Sequence, residues 1–193
     1  SSVDAERLAR LRRFALPNAA VEHLTDVARE VGVVLFSTPF DCGSATFLAP
    51  LVPVFKVASG DITFLPLLER IAQTGKPMIL STGAATMEEI DAATACVRRI
   101  WTARGLVVDL ALLHCVAAYP VPSEQANLAA IAALRQRFPE CTIGYSDHTM
   151  GNDAAIAAVA LGARIIEKHF TIAHNHSAFR DHQLSAAPEE LRV

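Results

Sequence analysis

Short apolar runs alternate with helix-like segments along the whole chain. Helix-like segments, recognised by apolar residues three or four positions apart and by capping and stop signals, cover residues 20–30, 65–71, 86–99, 128–134 and 154–161. The apolar runs between them have the length and composition of buried strands. They predict six strands, at residues 33–36, 54–58, 77–80, 110–113, 141–145 and 164–166.

Strands that alternate with helices are typical of a parallel sheet, because a parallel return needs a long crossover. Two architectures fit, an open doubly wound sheet and a closed TIM-type (β/α) barrel. No GxGxxG motif follows the first strand, which weakens the dinucleotide-binding version of the open sheet. Each predicted strand ends in polar residues, and a barrel would gather all of them at one mouth. We therefore predict an α/β fold of the barrel type.

A barrel of this type has eight strands, whereas the chain offers six. We expect residues 1–193 to form a single barrel domain from which the first two strand–helix units are missing.

Composition narrows the possible partners. The net charge of −3 and the absence of a dense Lys/Arg cluster argue against nucleic acid. No apolar run approaches 18 residues, and residues 1–13 lack the apolar core of a signal peptide, so we expect neither a membrane span nor secretion. The four cysteines form no CxxC pair and predict reduced thiols in a cytoplasmic protein.

Two histidines, His148 and His169, directly follow the fifth and sixth predicted strands. Neighbouring strand ends of a barrel lie close together, so the two imidazoles could share Mn²⁺, Zn²⁺ or Fe²⁺. The alternative is two unrelated polar residues at the starts of loops.

A lysine, Lys56, lies inside an apolar run, where a buried cation is rare unless it is paired or binds an anion. It could instead extend its amine along the barrel wall to water. Small hydroxyl residues recur at the strand ends, and together they favour an anionic substrate, although each one alone could simply cap a helix. They are Ser59, Ser81, Thr82, Ser146 and Thr149.

Two carboxylates, Glu167 and Asp181, are candidates for acid–base work or for a metal site. Glu167 sits at a strand end beside Lys168, with which it could instead form a structural ion pair. Cys115 follows His114 directly, and adjacent strand residues point to opposite faces, so we interpret Cys115 as a packing residue.

Taken together, the strand ends resemble those of the N-acetylneuraminate (sialic acid) synthase family, from about residue 20 to residue 192. The combination of Ser-Asp-His-Thr with Glu-Lys-His-Phe is specific, whereas each tetrapeptide alone is weak. The matching segments are 36–41 (FSTPFD), 55–61 (FKVASGD), 79–83 (ILSTG), 113–115 (LHC), 119–120 (YP), 144–149 (GYSDHT) and 167–171 (EKHFT).

The resemblance implies a condensation of phosphoenolpyruvate with an open-chain N-acetylated amino sugar. His148 and His169 would bind a divalent metal, usually Mn²⁺ with Mg²⁺ as the alternative, that polarises the sugar aldehyde. Glu167 would manage protons or order the attacking water. The remaining positions match phosphoenolpyruvate contacts, at Thr38, Lys56, Ser59, Ser81 and Ser146, and sugar contacts, at Tyr119 and Asp181. The resemblance also implies a homodimer.

This chain departs from the family pattern in several places. Ala117 stands where the family often has Asn or Ser, and residues 178–182 (AFRDH) replace the usual Pro-Gly-Pro-Asp loop beside the sugar. The acceptor is therefore N-acetylmannosamine or a related hexosamine that leads to a legionaminic- or pseudaminic-type acid. The family's opening strands and its antifreeze-like C-terminal domain are not in the chain.

Two other functions compete with this one. A related sugar-acid phosphate synthase would need an additional arginine-rich phosphate site, for which Arg180 is the candidate. A non-catalytic fragment or remnant of such a barrel would expose unpaired strand edges.

Overall fold

The computed structural model describes residues 8, 9, 12, 14–177, 179 and 181–192. In this part of the chain five parallel strands form one open sheet, and their order in the sheet is their order along the chain. The strands are β1 (Phe55–Val57), β2 (Met78–Ser81), β3 (Leu110–Cys115), β4 (Thr142–Asp147) and β5 (Ile166–Lys168).

Helices connect the strands, as the alternating pattern predicts. They are α1 (Asn18–Val31), α2 (Cys42–Leu48), α3 (Leu65–Ala72), α4 (Met87–Ala103), α5 (Ala129–Arg137), α6 (Asp153–Ala160) and α7 (Asp181–Leu184). Short 3₁₀ turns cover Ser59–Asp61, Ser123–Gln125 and Glu190–Arg192. α1 ends at Gly32, whose φ of 76° is left-handed, and Thr86 and Glu89 form the predicted capping box at the start of α4.

The two faces of the sheet have different surroundings because side chains alternate along each strand. One face packs against the helices and forms the core. Its strand residues include Phe55, Val57, Met78, Leu80, Leu112 and Ile143, which meet helix residues such as Leu68, Ile71, Val97, Trp101, Ile131 and Leu134. The opposite face carries Lys56, Ser81, Cys115, Ser146 and Glu167, and it borders a cavity at the carboxyl ends of the strands.

The prediction of a strand at residues 33–36 is wrong. Only Ser37 pairs with β1, through a single parallel bridge to Phe55. That register places residues 33–36 opposite residues 51–54, a turn that contains Pro53, which has no N–H to donate. Without partners, Val33 and Val34 are 60% and 68% exposed. The described sheet therefore has five strands rather than six, and the closed eight-stranded barrel stays a prediction.

The other strand predictions agree with the structure to within one or two residues. The last is displaced by two, since β5 begins at Ile166 rather than at Arg164. Helix α2 was not predicted. Its signal was Asp41, whose carboxylate accepts the Ser44 backbone N–H at 2.8 Å and caps the helix. Among the described residues, none of the helices is long and apolar enough to cross a membrane.

Candidate functional site

A cavity of about 410 Å³ opens where the five strands end. It gathers nine of the ten residues to which the family resemblance assigns a role: Thr38, Lys56, Ser59, Ser81, Tyr119, Ser146, His148, Glu167 and His169. Phe40, Ala58, Gly60, Cys115 and Ala117 complete the lining. Because parallel strands bring their carboxyl ends to one edge, residues more than 130 positions apart in sequence meet here.

Lys56 supplies the positive charge of the cavity. Its Nζ donates to Ser81 Oγ at 2.7 Å and to the Val57 carbonyl at 3.1 Å. The side chain is 9% exposed and lies on the cavity face of β1. The ammonium group is thus held toward the cavity rather than extended along the wall to water, which is a suitable arrangement for binding an anion.

Glu167 bridges Lys56 and Ser146. Its carboxylate accepts the Ser146 hydroxyl at 2.6 Å and lies 3.5 Å from Lys56 Nζ. The alternative of an ion pair between Glu167 and its neighbour Lys168 is wrong, because alternation along β5 sends the two side chains to opposite faces. A carboxylate that touches both a lysine and a serine in the cavity is well placed to move a proton there.

Cys115 takes part in the cavity, which the interpretation as a packing residue missed. Its Sγ lies 2.9 Å from Ser59 Oγ, and the Gly83 backbone N–H donates to the same hydroxyl at 2.9 Å. A Cβ on Gly83 would come within 2.6 Å of that sulfur, so the loop after β2 can approach only because residue 83 is glycine. Ser59 is thereby fixed from two sides.

His148 and His169 stand beside each other, with ring centroids 5.5 Å apart. The ring of Tyr119 lies 4.2 Å from His148 and 5.8 Å from His169, so three aromatic rings form one wall. His148 Nδ1 is 2.9 Å from the Val116 carbonyl. A carbonyl can only accept, so Nδ1 carries the proton and Nε2 keeps its lone pair.

The donor set fits a divalent cation held by two imidazoles. Burial lowers the pKa of His169, an effect that the Asp181 carboxylate opposes, and a neutral ring is the form that binds a metal. The His148–Val116 contact is the kind of outer hydrogen bond that orients a metal-binding imidazole. Within the described residues no cluster of three or more His, Cys, Asp or Glu side chains is arranged to hold a metal.

Asp181 is the tenth of these residues, and it is absent from the cavity lining. It starts α7 and acts on the cavity through its charge on His169. Of the strand-end hydroxyls, Thr82 donates to the Leu113 carbonyl and Thr149 donates to Asp147, so these two serve the backbone and the strand end rather than the cavity. Ala178 and Arg180, in the loop that departs from the family pattern, lie outside the described residues.

The sequence interpretation also missed a buried ion pair behind the cavity. Lys168 Nζ lies 2.8 Å from Asp147 Oδ2, and the two side chains are 7% and 0% exposed. Burial raises the pKa of Tyr145, and the adjacent Asp147 carboxylate raises it further. Side chains alternate between the two faces along β4 and β5, and this alternation was the signal that could have placed Asp147 and Lys168 together on the face away from the cavity.

Comparison with known proteins gives consistent similarities. The N,N'-diacetyllegionaminic acid synthase of Campylobacter jejuni is 40% identical over 191 residues, which is 98% of this chain and 56% of that protein. The N-acetylneuraminate-9-phosphate synthase of Homo sapiens is 37% identical over 93% of this chain and 48% of its own length.

A solved structure, the N-acetylneuraminic acid (sialic acid) synthetase of Leptospira borgpetersenii in complex with citrate, matches with a TM-score of 0.84 at 36% identity. The match covers 91% of this chain and 59% of that one. The chain thus spans about half the length of the curated relatives it matches. The model of the NeuB family matches residues 2–193, and the chain belongs to that family.

Proposed function

We propose that this chain forms the reaction mouth of a synthase that condenses phosphoenolpyruvate with an N-acetylated amino sugar, giving a nonulosonic acid and inorganic phosphate. The observation that carries the proposal is the cavity itself, in which a buried lysine, serine hydroxyls, a carboxylate and two imidazoles converge. Family membership and the names of the relatives support the same chemistry.

Phosphoenolpyruvate occupies the lysine side of the cavity in this proposal. Its charged groups meet the Lys56 ammonium, and the hydroxyls of Ser59 and Ser81 donate to its oxygens. Ser146, whose hydroxyl proton goes to Glu167 in the free protein, turns to the anion when it binds. The Ser59 and Ser81 hydroxyls are already oriented by short contacts to neighbouring groups, so these two need little ordering when the anion binds. Thr38 lies on the same lining and is assigned to this half as well.

The amino sugar occupies the histidine side. Carbon 3 of phosphoenolpyruvate attacks the sugar aldehyde and forms the new C–C bond, while the aldehyde oxygen gains a proton and becomes a hydroxyl. Water then adds at carbon 2, and the C–O bond to phosphate breaks, so that phosphate leaves with the bonding electrons. Glu167, held between Lys56 and Ser146, takes the proton that the attacking water loses.

A divalent cation bound by His148 and His169 would supply Lewis-acid polarisation of the aldehyde. Mn²⁺ is the proposed ion because the family resemblance implies it. Mg²⁺, the alternative, favours oxygen ligands and suits a pair of imidazoles less well. Tyr119 packs against His148 at a tilt of 32° and is assigned to the sugar, as is Asp181, whose charge opposes the lowering of the His169 pKa.

The proposed acceptor is the class of N-acetylated hexosamines, N-acetylmannosamine among them. The two relatives compared above are named for different products, one of them phosphorylated, at nearly equal identity. We further propose a homodimer, from the family resemblance, and a cytoplasmic location, from the scattered cysteines.

Phosphate release tests the proposal. The protein is stripped of metal with EDTA and then assayed with phosphoenolpyruvate and N-acetylated hexosamines, with and without added Mn²⁺. His148→Ala and His169→Ala should each abolish the Mn²⁺-dependent release, whereas His23→Ala, on the exposed side of α1, should leave it unchanged.

Two results would count against the proposal. Full Mn²⁺-dependent activity in both histidine variants would remove the metal assignment. Absence of phosphate release from the unmodified protein with every N-acetylated hexosamine would remove the synthase assignment.

A further inference from the structure

Three successive pairs of residues join the ends of β4 and β5. Ser146 is in register with Glu167, and Asp147 is in register with Lys168. One residue further along, His148 and His169 face each other with ring centroids 5.5 Å apart. The first and third pairs line the cavity, and the middle pair points to the opposite face, because strand side chains alternate.

The middle pair forms several directional contacts. Lys168 Nζ donates to Asp147 Oδ2 at 2.8 Å and to the Thr149 carbonyl at 2.7 Å. Asp147 Oδ1 accepts both the backbone N–H of Thr149 at 2.8 Å and its hydroxyl at 2.7 Å. Lys168 therefore donates hydrogen bonds to the residues on both sides of His148, and it directly precedes His169 in the chain.

The attraction between the two buried charges adds little net stability to the folded protein. Removing two charges from water offsets much of their attraction, and apolar residues of similar volume often replace a buried ion pair without loss of stability. Its directional contacts, however, fix one register of β5 against β4. A slip of one residue would turn Glu167 and His169 away from the cavity together.

We propose that Asp147 and Lys168 are positioning residues that hold His148 and His169 at the spacing of one shared cation. This positioning role rests on the proposed function, which supplies the divalent cation. The pair itself touches neither substrate nor cation, since it lies behind the strand ends.

The test uses a double substitution, Asp147→Leu with Lys168→Met, which removes both charges and so leaves no buried ion unpaired, although the Thr149 N–H and hydroxyl lose their acceptor. Its matched control is Asp91→Leu with Arg137→Met, which removes an exposed ion pair of 2.6 Å between α4 and α5, away from the cavity. Lys168→Arg keeps the charge, and Thr149→Val removes only one donor to Asp147, so both are milder variants that keep the test open if the double substitution does not fold.

Mn²⁺ affinity is measured by electron paramagnetic resonance well below the melting temperature. In the double variant it should fall by roughly 10- to 100-fold, the range seen when outer contacts of metal ligands are lost. Lys168→Arg should recover part of the affinity, Thr149→Val should lose less, and the control should match the unmodified protein. The KM for phosphoenolpyruvate at saturating Mn²⁺ should change much less.

A second readout needs no metal. Imidazole ¹⁵N spectra of the metal-free protein report the hydrogen bond between His148 Nδ1 and the Val116 carbonyl, and this signal should shift or broaden in the double variant. Unchanged Mn²⁺ affinity together with unchanged imidazole spectra would overturn the positioning role. If the unmodified protein bound no Mn²⁺, the metal part of the proposed function would fail, and the imidazole spectra would still decide the positioning role.

Discussion

Replacing Gly144 by alanine puts one methyl group on the cavity face of β4, where it has no room. A Cβ at this position would lie 2.5 Å from Leu113 Cδ2, 2.6 Å from the Ile165 carbonyl oxygen and 2.8 Å from Ile165 Cβ. Favourable contacts between carbon atoms lie at about 3.5–4.0 Å, so all three contacts are repulsive. The end of Leu113 can rotate away, but the Ile165 carbonyl is held by the Tyr145 N–H at 2.8 Å.

The cost follows from which atoms must move. Inserting a methyl group into a packed interior destabilises by roughly 1–3 kcal/mol, and the upper end applies where backbone is displaced, so we expect about 3 kcal/mol for Gly144→Ala. In a chain of this size each kcal/mol lowers the melting temperature by about 2–4 °C, so the variant should melt about 6–12 °C lower.

Thermal unfolding followed by circular dichroism measures the effect, and urea unfolding measures the free energy. Gly60→Ala is the matched control for stability, since a Cβ there meets no atom within 4 Å. It should leave stability unchanged or raise it by about 0.4–1 kcal/mol. A Gly144→Ala variant that melted within about 2 °C of the unmodified protein would refute the packing argument.

Two further predictions concern single groups. Lys56→Met removes the cation of the cavity. Because a hydrogen bond to a charged group contributes about 1.5–3 kcal/mol, steady-state assays should show the KM for phosphoenolpyruvate rising by roughly 10- to 150-fold while the KM for the amino sugar changes little. Equal increases in both KM values would contradict the assignment. Burial lowers the pKa of His114, and this effect outweighs the hydrogen bond to the Ala126 carbonyl, which raises the pKa. The unfolded chain therefore binds a proton at this ring more readily than the folded chain does. Its contribution to stability is therefore complete above the ordinary histidine pKa of about 6.5 and is lost as the pH falls below it. Urea unfolding at acidic and neutral pH should show a smaller loss of stability on acidification in His114→Gln, and an identical loss in both proteins would count against a buried neutral ring.

The sequence predicts most of this fold because strand and helix signals here are local. All five strands of the described sheet, and the capping box at Thr86, follow from apolar runs and from spacing that a few neighbouring residues determine. The failure at residues 33–36 has a different origin. Those residues are apolar enough for a strand, but the register of Ser37 with Phe55 places them opposite a turn that contains Pro53 and offers no strand partner. Register between distant segments is not readable from either segment alone.

Part of the cavity was also predictable, because the local strand signals locate the strand ends that line it. Polar residues at strand ends must converge if the strands are parallel, and Lys56, Ser81 and Glu167 do so. The roles of Cys115 and Asp147 were not predictable from their own neighbourhoods. Cys115 is defined by a contact with Ser59, 56 residues away, and Asp147 by one with Lys168, 21 residues away.

The strand order of the sheet has a consequence for synthesis of the protein. Because each strand pairs with the one made just before it, every unit can dock onto a surface that is already present as the chain leaves the ribosome. The binding groups then arrive in a fixed sequence, with Lys56 in the first strand and His169 after the last. A nascent chain that has released β4 but not β5 would already carry the lysine and serines of the anion side, and it would gain Glu167 and the second imidazole together when β5 docks.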